Sequence, residues 1–449
     1  MGRLFGTDGV RGLANRDVTA ELAVDLAVAA AHVLADAGEF AGHRPIAIVG
    51  RDTRASGEFL EAAVVAGLAS AGIDVRVVGV LPTPAVAWLV GQTHADLGVM
   101  LSASHNPMPD NGIKFFARGG VKLPDALEDA IEARLGEPWE RPTGTGVGRV
   151  SYDRDAQEKY IDYLYSTTDT DLTGLKVVVD CANGAASAVA PQVLTRLGAE
   201  VIAINDASDG WNINEGCGST HLEGLVAVVT ETSADVGIAH DGDADRCLAV
   251  TATGSVVDGD HILAILATAL RDAGRLTGNT VVTTVMANMG FRLAMQSAGI
   301  IVIETAVGDR YVLEEMAASG FVLGGEQSGH IVLSDFATTG DGVLTAVHLL
   351  AQMSRSGRSL ADLAAMVDKL PQVLVNVTGI DKTAIDTNPL VQQTVLDVQE
   401  QLAGRGRVLL RPSGTEPVVR VMVEAPTLAD AQLYAERIAD VVSAELALG

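Results

Sequence analysis

Three aspartates, Asp241, Asp243 and Asp245, stand two residues apart in the run H-D-G-D-A-D-R. On a helix Asp243 would face away from the other two, so the spacing suits a tight loop on which three carboxylates converge. Anions that close repel unless a cation joins them, and hard oxygen donors select Mg²⁺, Mn²⁺ or Ca²⁺. The D-x-D-x-D start has the look of an EF-hand. Its sixth position is Arg246 instead of Gly and its twelfth is Ala252 instead of Glu, so that reading fails. A solvated acidic turn is the alternative; the apolar stretch before the loop argues against it.

Four further stretches carry reactive or ligand-binding residue types. Residues 101–114 read L-S-A-S-H-N-P-M-P-D-N-G-I-K. Pro107 and Pro109 rule out a regular helix or central strand, so Ser104 and His105 belong on a loop after the apolar run 97–101. Ser104 is then a nucleophile or phosphate carrier, or else the loop is a polar turn whose hydroxyls satisfy backbone groups. Residues 324–330, G-G-E-Q-S-G-H, offer Glu326, Ser328 and His330 between glycines, suited to sugar hydroxyls or simply to a Gly-rich turn. Residues 411–417, R-P-S-G-T-E-P, combine Arg411 with Ser413, Gly414 and Thr415, and Arg420 follows. Backbone N–H groups in such a turn form an anion nest that arginine clamps, which favours phosphate binding over a surface hairpin. Residues 4–12, L-F-G-T-D-G-V-R-G, form a tight loop from which Arg11 projects.

These loops need elements to hold them, and the chain supplies a repeat. A strand over 45–50, a polar loop, a helix over 57–71 and a strand over 74–80 form the first copy. The same order recurs over 175–180, 190–197 and 200–204, and again over 280–285, 291–298 and 300–304. An adjacent Ala and Gly close each helix, as a C-cap does. Each copy is followed by another apolar strand that ends in one of the loops above: the Ser104 loop, the aspartate loop, then the Glu326 loop. Three loops in equivalent places converge if the three domains pack around one cleft. A separate helix is expected over 19–37, with Thr19 as its N-cap. The last segment differs: short strands over 373–377, 407–410 and 418–423 and helices over 389–402 and 428–446 predict a smaller domain. The fold class is therefore α/β: three similar α/β domains with mixed sheets plus a smaller α+β C-terminal domain, around a central cleft. The domain limits fall near 1–150, 151–257, 258–369 and 370–449.

The totals agree. The 449 residues make three or four domains at about 100–200 residues each. No apolar run reaches the ~20 residues of a membrane span, and the N-terminus lacks a signal-peptide core. Three cysteines, Cys181, Cys217 and Cys247, fit a reducing cytoplasm. A net charge of −26 speaks against nucleic acid. It also means that an anionic ligand requires cations focused locally against the global field. The G-x-S-x-G elbow of a serine hydrolase is absent around Ser104. A non-catalytic divalent-cation-binding protein is the remaining rival.

Taken together, the four signature loops resemble those of the α-D-phosphohexomutases, in that family's order and over essentially the whole chain. F-G-T-D-G-V-R-G, S-A-S-H-N-P followed by D-N-G-I-K-F-F, and G-G-E-Q-S-G-H look most like the bacterial members that act on glucosamine phosphate. The resemblance implies that Ser104 is a phosphoserine and that Mg²⁺ is held by its phosphate with Asp241, Asp243 and Asp245. It implies that Arg11, Lys114, Arg246 and His330 surround the reacting groups, with Lys114 or His330 the candidate for proton transfer. Glu326 and Ser328 would bind sugar hydroxyls, and Arg411, Ser413, Gly414, Thr415 and Arg420 the non-reacting phosphate. The implied reaction converts D-glucosamine 6-phosphate to D-glucosamine 1-phosphate through a 1,6-bisphosphate that also serves as activator, with glucose or mannose phosphate the alternative substrates. The product would feed UDP-N-acetylglucosamine synthesis in the cytoplasm, and a homodimer is implied as well. One departure is Ala244, where the family usually carries Gly. If that position needs a positive φ, Ala is costly there.

Overall fold

The computed structural model describes residues 3–6, 8–40, 42–412 and 418–448. The expected phosphate-binding residues Ser413, Gly414 and Thr415 lie outside the described residues. The chain divides into two compact units, one of Met1–Met286 with Gly299–Met366, the other of Ala287–Ala298 with Val367–Gly449.

The first unit contains three mixed sheets among the described residues. In the first, strand Ile46–Arg51 pairs in parallel with Asp74–Val80 on one side and Leu97–Leu101 on the other, and Leu97–Leu101 pairs antiparallel with Asp110–Ala117. In the second, Lys176–Asp180 lies between Glu200–Ile204 and Val236–Ala239, both parallel to it, and Leu248–Thr251 follows antiparallel. In the third, Thr280–Thr284 lies between Ile301–Thr305 and Leu323–Gly325, again parallel, and Ile331–Leu333 follows antiparallel. The order is the same each time: second strand, first, third, fourth. Each sheet therefore places the loop after its third strand at the carboxyl end of parallel strands, where open α/β sheets bind ligands.

Local chemistry explains the boundaries. Helix Ala20–Asp36 begins where Thr19 Oγ1 accepts from Leu22 N–H at 3.2 Å, satisfying one orphan donor of the first turn. The repeat helices Ser56–Ser70, Ala190–Arg196 and Met289–Ser297 are each followed within two residues by a glycine, Gly72, Gly198 and Gly299, at φ +94°, +100° and +69°. Only glycine adopts that conformation without a Cβ penalty. Strand Leu97–Leu101 is a continuous apolar run because both its faces are covered; all five of its residues are buried.

The second unit holds an antiparallel sheet of Gln372–Thr378, Val418–Glu424 and Arg407–Pro412, with Val418–Glu424 central. Helices Pro389–Leu402 and Leu428–Glu445 belong to the same unit, and Val391, Val398, Ile438 and Val442 fill its core with Val419, Val421 and Val423. Helix Met289–Ser297, expected with the third repeat, groups with this unit. Its N-terminus is tied there by Glu424, which accepts from Met289 N–H at 2.9 Å, and by Arg407, which donates to Ala287 O.

Candidate active site

Arg54 organises the Ser104 loop. Its side chain is 0% exposed. Nη1 donates to Pro107 O and Asp110 O at 2.6 and 3.0 Å, and Nη2 to Ser104 O and Asn106 O at 3.0 and 2.8 Å. Its Nε donates to Asp52 Oδ2 at 2.9 Å. One guanidinium thus gathers four carbonyls of a loop whose prolines bar it from regular structure. Asn214 adds a second clamp, donating to Ser104 O and Asn106 O.

The two candidate serines divide their tasks. Ser102 Oγ donates to Asp52 at 2.7 Å and accepts from Ser104 N–H at 2.9 Å, so it is spent on the loop itself. Ser104 adopts φ +54°. Its Oγ donates to Asp241 Oδ2 at 2.6 Å and lies 3.3 Å from His105 Nδ1. Burial, then the guanidiniums of Arg246 and Arg11, lower the His105 pKa to about 4, so that ring is neutral.

Asp241, Asp243 and Asp245 come together as expected, all buried, with one carboxylate oxygen from each within 4.8 Å of the others. Asp243 Oδ1 and Asp245 Oδ1 are buried without a hydrogen-bond partner. Unpaired buried carboxylate oxygens are costly, and burial, then Asp245 and Asp243, push the Asp241 carboxyl well above its usual range. Three converging carboxylates, two of them with an orphaned oxygen, fit a hard divalent cation. The loop is braced by neighbours: Thr83 Oγ1 donates to Asp243 Oδ2 at 2.6 Å, Ala185 N–H to Gly242 O at 2.8 Å and Gly342 N–H to Ala244 O at 3.0 Å. Ala244 sits at φ +56° and is fully buried. The position does require the left-handed region, which costs an alanine roughly 1–2 kcal/mol.

Cations ring this acidic centre. Lys114 Nζ, nearly buried, lies 2.7 Å from Asp243 Oδ2 and 2.8 Å from Asp8 Oδ2. Burial opposes its charge, but Asp243 and Asp8 outweigh burial and raise its pKa. Arg11 pairs closely with Asp8. Arg246 N–H donates to Asp241 Oδ1 at 3.2 Å, and its Nε is 3.9 Å from Asp241 and from Asp245. His330 lies with Nδ1 3.6 Å from Asp245 and Nε2 3.3 Å from Asp309. Burial opposes its protonation, while Asp245 and then Asp309 raise its pKa to about 9. The Gly340 amide, 3.1 Å from Nε2, favours the neutral ring. Two carboxylates outweigh one amide dipole, so the charged form prevails near neutrality.

Ser104, Arg11, Asp245, Arg246, Glu326 and His330 share one cavity of about 350 Å³. Glu326 Oε1 accepts from Gly308 N–H at 3.2 Å, and burial raises its pKa. Ser328 Oγ is buried without a partner. In the second unit Arg411 and Arg420 are directly opposite one another on neighbouring antiparallel strands. Burial, then Arg420, lowers the Arg411 pKa, as when two guanidiniums share one small region.

Sequence reasoning missed Asp8, Asp52, Arg54, Lys122 and Asp309. Asp8 sat in a loop already singled out, three residues from Arg11; Asp52 and Arg54 sat in the polar loop of the first repeat, which was read only as a connection; Lys122 and Asp309 carried no local signal.

The chain matches the phosphoglucomutase/phosphomannomutase family in four parts. Its alpha/beta/alpha domain I matches residues 2–140, domain II 158–254, domain III 258–370, and the C-terminal domain 374–441. It is 66% identical over 444 residues to a phosphoglucosamine mutase of Acidothermus cellulolyticus, covering 99% of this chain and 96% of that one. It is 63% identical over 451 residues to a phosphoglucosamine mutase of Streptomyces griseus, covering 99% and 100%. Among solved structures, a phosphoglucomutase/phosphomannomutase family protein of Burkholderia thailandensis shares the fold at a TM-score of 0.81 and 24% identity, covering 98% of this chain and 97% of that one. An Aspergillus fumigatus N-acetylphosphoglucosamine mutase, solved with GlcNAc-6P and magnesium, does so at 0.64 and 19%, covering 91% and 85%.

Proposed function

The chain belongs to the phosphoglucomutase/phosphomannomutase family and is a phosphohexomutase, an isomerase, and from that premise we propose that it interconverts D-glucosamine 6-phosphate and D-glucosamine 1-phosphate. The observation that carries the reading is Ser104. Its Oγ is the hydroxyl of the loop that both reaches the carboxylate triad, at 2.6 Å from Asp241, and lines the cavity with Arg11, Arg246, Glu326 and His330. The full-length relatives named phosphoglucosamine mutase support the choice of sugar.

In the resting enzyme Ser104 carries a phosphoryl group. Asp241, Asp243 and Asp245, together with that phosphate, would hold Mg²⁺, which would supply charge neutralisation there. The sugar phosphate enters with Glu326 and Ser328 on its hydroxyls. Its free hydroxyl attacks phosphorus: the bond from phosphorus to Ser104 Oγ breaks and a bond to the sugar oxygen forms; the hydroxyl proton passes to whichever of Lys114 and His330 enters the step deprotonated, and Ser104 Oγ takes up a proton as it leaves. Arg11 and Arg246 offset charge on the transferring group, the main demand of phosphoryl transfer. The product is the 1,6-bisphosphate, which turns end for end and returns its other phosphate to Ser104. Arg411 and Arg420, with Ser413, Gly414 and Thr415, hold the phosphate that is not reacting, in either orientation. Added bisphosphate primes an unphosphorylated chain. The same reading assigns the four domains the limits 1–150, 151–257, 258–369 and 370–449, a cytoplasmic setting and a homodimer. No described helix is long and apolar enough to cross a membrane.

Steady-state kinetics on the 6-phosphates of glucosamine, glucose and mannose, with Mg²⁺ and catalytic bisphosphate, test this. The expected result is the highest kcat/KM for glucosamine 6-phosphate. A higher value for glucose or mannose assigns the chain to that sugar, and no turnover of any overturns the mutase reading.

A further inference from the structure

Two groups proposed for proton transfer, Lys114 and His330, come from different domains, and nothing in the reaction scheme says what fixes one against the other. Charges of alternating sign connect them. Lys114 Nζ lies 2.8 Å from Asp8 Oδ2. The other oxygen of Asp8, Oδ1, lies 2.8 Å from Lys122 Nζ. Lys122 also pairs closely with Asp309 Oδ2, and Asp309 Oδ2 lies 3.3 Å from His330 Nε2. The circuit closes through Asp245, which is 3.6 Å from His330 Nδ1 and 3.8 Å from Lys114 Nζ.

Lys122 has a distinct place in this circuit. Asp8, Asp245, Asp309 and His330 line the cavity that holds Ser104, and the two lysines stand behind them, Lys114 against the aspartate triad and Lys122 between Asp8 and Asp309. Its side chain is only 13% exposed and both its ion pairs are with cavity carboxylates. It stands in the two-residue strand Val121–Lys122, hydrogen-bonded to the end of Asp110–Ala117, the strand that carries Lys114. Asp309 opens the helix Asp309–Ser319 in the third repeat. One ammonium thus ties the first repeat's hairpin to the third repeat's helix and separates two carboxylates that would otherwise repel. Among the described residues, Asp309 has ion pairs with Lys122 and His330. Without Lys122, its charge would fall on the imidazole alone.

We propose that Lys122 is a positioning residue of the phosphoryl-transfer site, holding Asp8 and Asp309 apart so that Lys114 and His330 keep their register across the cavity. This rests on the mutase reading. Because Lys122 does not line the cavity that holds Ser104, its loss acts on kcat and leaves KM in place. Misplacing reacting groups by small distances is costly in rate.

The test is steady-state kinetics on wild type, Lys122→Met, Lys122→Arg, Asp309→Asn and the Lys122→Met/Asp309→Asn double variant. Lys122→Met is expected to lower kcat by about tenfold to a hundredfold, the factor that accompanies loss of one charge-assisted hydrogen bond, with KM unchanged. Lys122→Arg should restore most of the rate. The double variant should be no slower than Lys122→Met alone, because the carboxylate left unbalanced has been neutralised. Wild-type kcat in Lys122→Met, a raised KM at unchanged kcat, or losses that multiply in the double variant would overturn the proposal. Should Lys122→Met not fold, Asp309→Asn removes the same pair from the other side and must itself lower kcat; an unchanged kcat there overturns the proposal equally. Wild type separates the two failures: if it turns over no sugar phosphate, the mutase reading falls and takes this role with it. If wild type is active and the variants are unaffected, only the role of Lys122 falls.

Discussion

Replacing Arg54 with Met should cost the protein both stability and turnover. The side chain is wholly buried and makes bonds to four carbonyls and to Asp52. Met fills comparable volume but leaves a buried carboxylate without its cation and four carbonyls short of a donor. Breaking a buried ion pair from one side costs about 3–5 kcal/mol, a large share of the ~5–15 kcal/mol that holds a typical domain together. The loss should depend on pH. Burial already holds the Asp52 carboxyl above its usual range with Arg54 beside it, and removing the guanidinium raises it further. The folded state then keeps a proton that the unfolded chain has released, so stability falls as pH rises. The deficit against wild type should be smallest near pH 4, the usual carboxylate range, and grow toward neutrality. Thermal unfolding followed across that range, with hydrogen exchange at residues 102–111, reads both effects. Arg54→Lys keeps the charge and loses the fork, so it should fall between. Wild-type stability in Arg54→Met, or a deficit that shrinks as pH rises, would refute the reasoning.

Asp241→Asn should lower Mg²⁺-dependent turnover while leaving metal-free thermal stability no worse than wild type, because it relieves repulsion from Asp243 and Asp245; full activity in excess chelator would contradict the metal assignment. Gly342→Ala would put a Cβ 2.1 Å from Arg246 O, and displacing the aspartate loop by that contact should reduce kcat by about a hundredfold, which a wild-type rate would disprove. Arg420→Ala should raise KM for the 6-phosphate and the 1-phosphate alike, by roughly tenfold to a hundredfold; a change in one direction only would place the clamp elsewhere.

The first three strands and the helix of each repeat were legible in the sequence because each repeat announces itself locally; the fourth, antiparallel strands Asp110–Ala117, Leu248–Thr251 and Ile331–Leu333 were not, nor was the strand Gly9–Leu13 that carries Arg11. An apolar run, a polar loop, and a helix closed by glycine recur three times, and Gly72, Gly198 and Gly299 do stand at positive φ. The Ala244 departure was legible too: a position whose usual residue is glycine turned out to need φ +56°. Arg54 was not. In R-D-T-R-A-S an arginine reads as a solvated turn residue, and its burial follows from a loop some fifty residues away folding over it. Lys122 and Asp309 were invisible for the same reason, their pairing spanning 187 positions. Nor could hydropathy show that Met289–Ser297 would group with the C-terminal sheet. That depends on Glu424 and Arg407 meeting its first turn.

The central claim, that Ser104 carries the phosphoryl group between the two ends of a glucosamine phosphate, is tested most directly by ³¹P NMR of glucosamine 6-phosphate incubated with Mg²⁺, trace bisphosphate and either wild-type or Ser104→Ala enzyme. With wild type, the 1-phosphate resonance should grow to a constant ratio with the 6-phosphate. With Ser104→Ala no 1-phosphate should form, although the scaffold set by Ser102, Asp52 and Arg54 remains. Continued interconversion by Ser104→Ala would contradict the account and place the phosphoryl carrier on another residue.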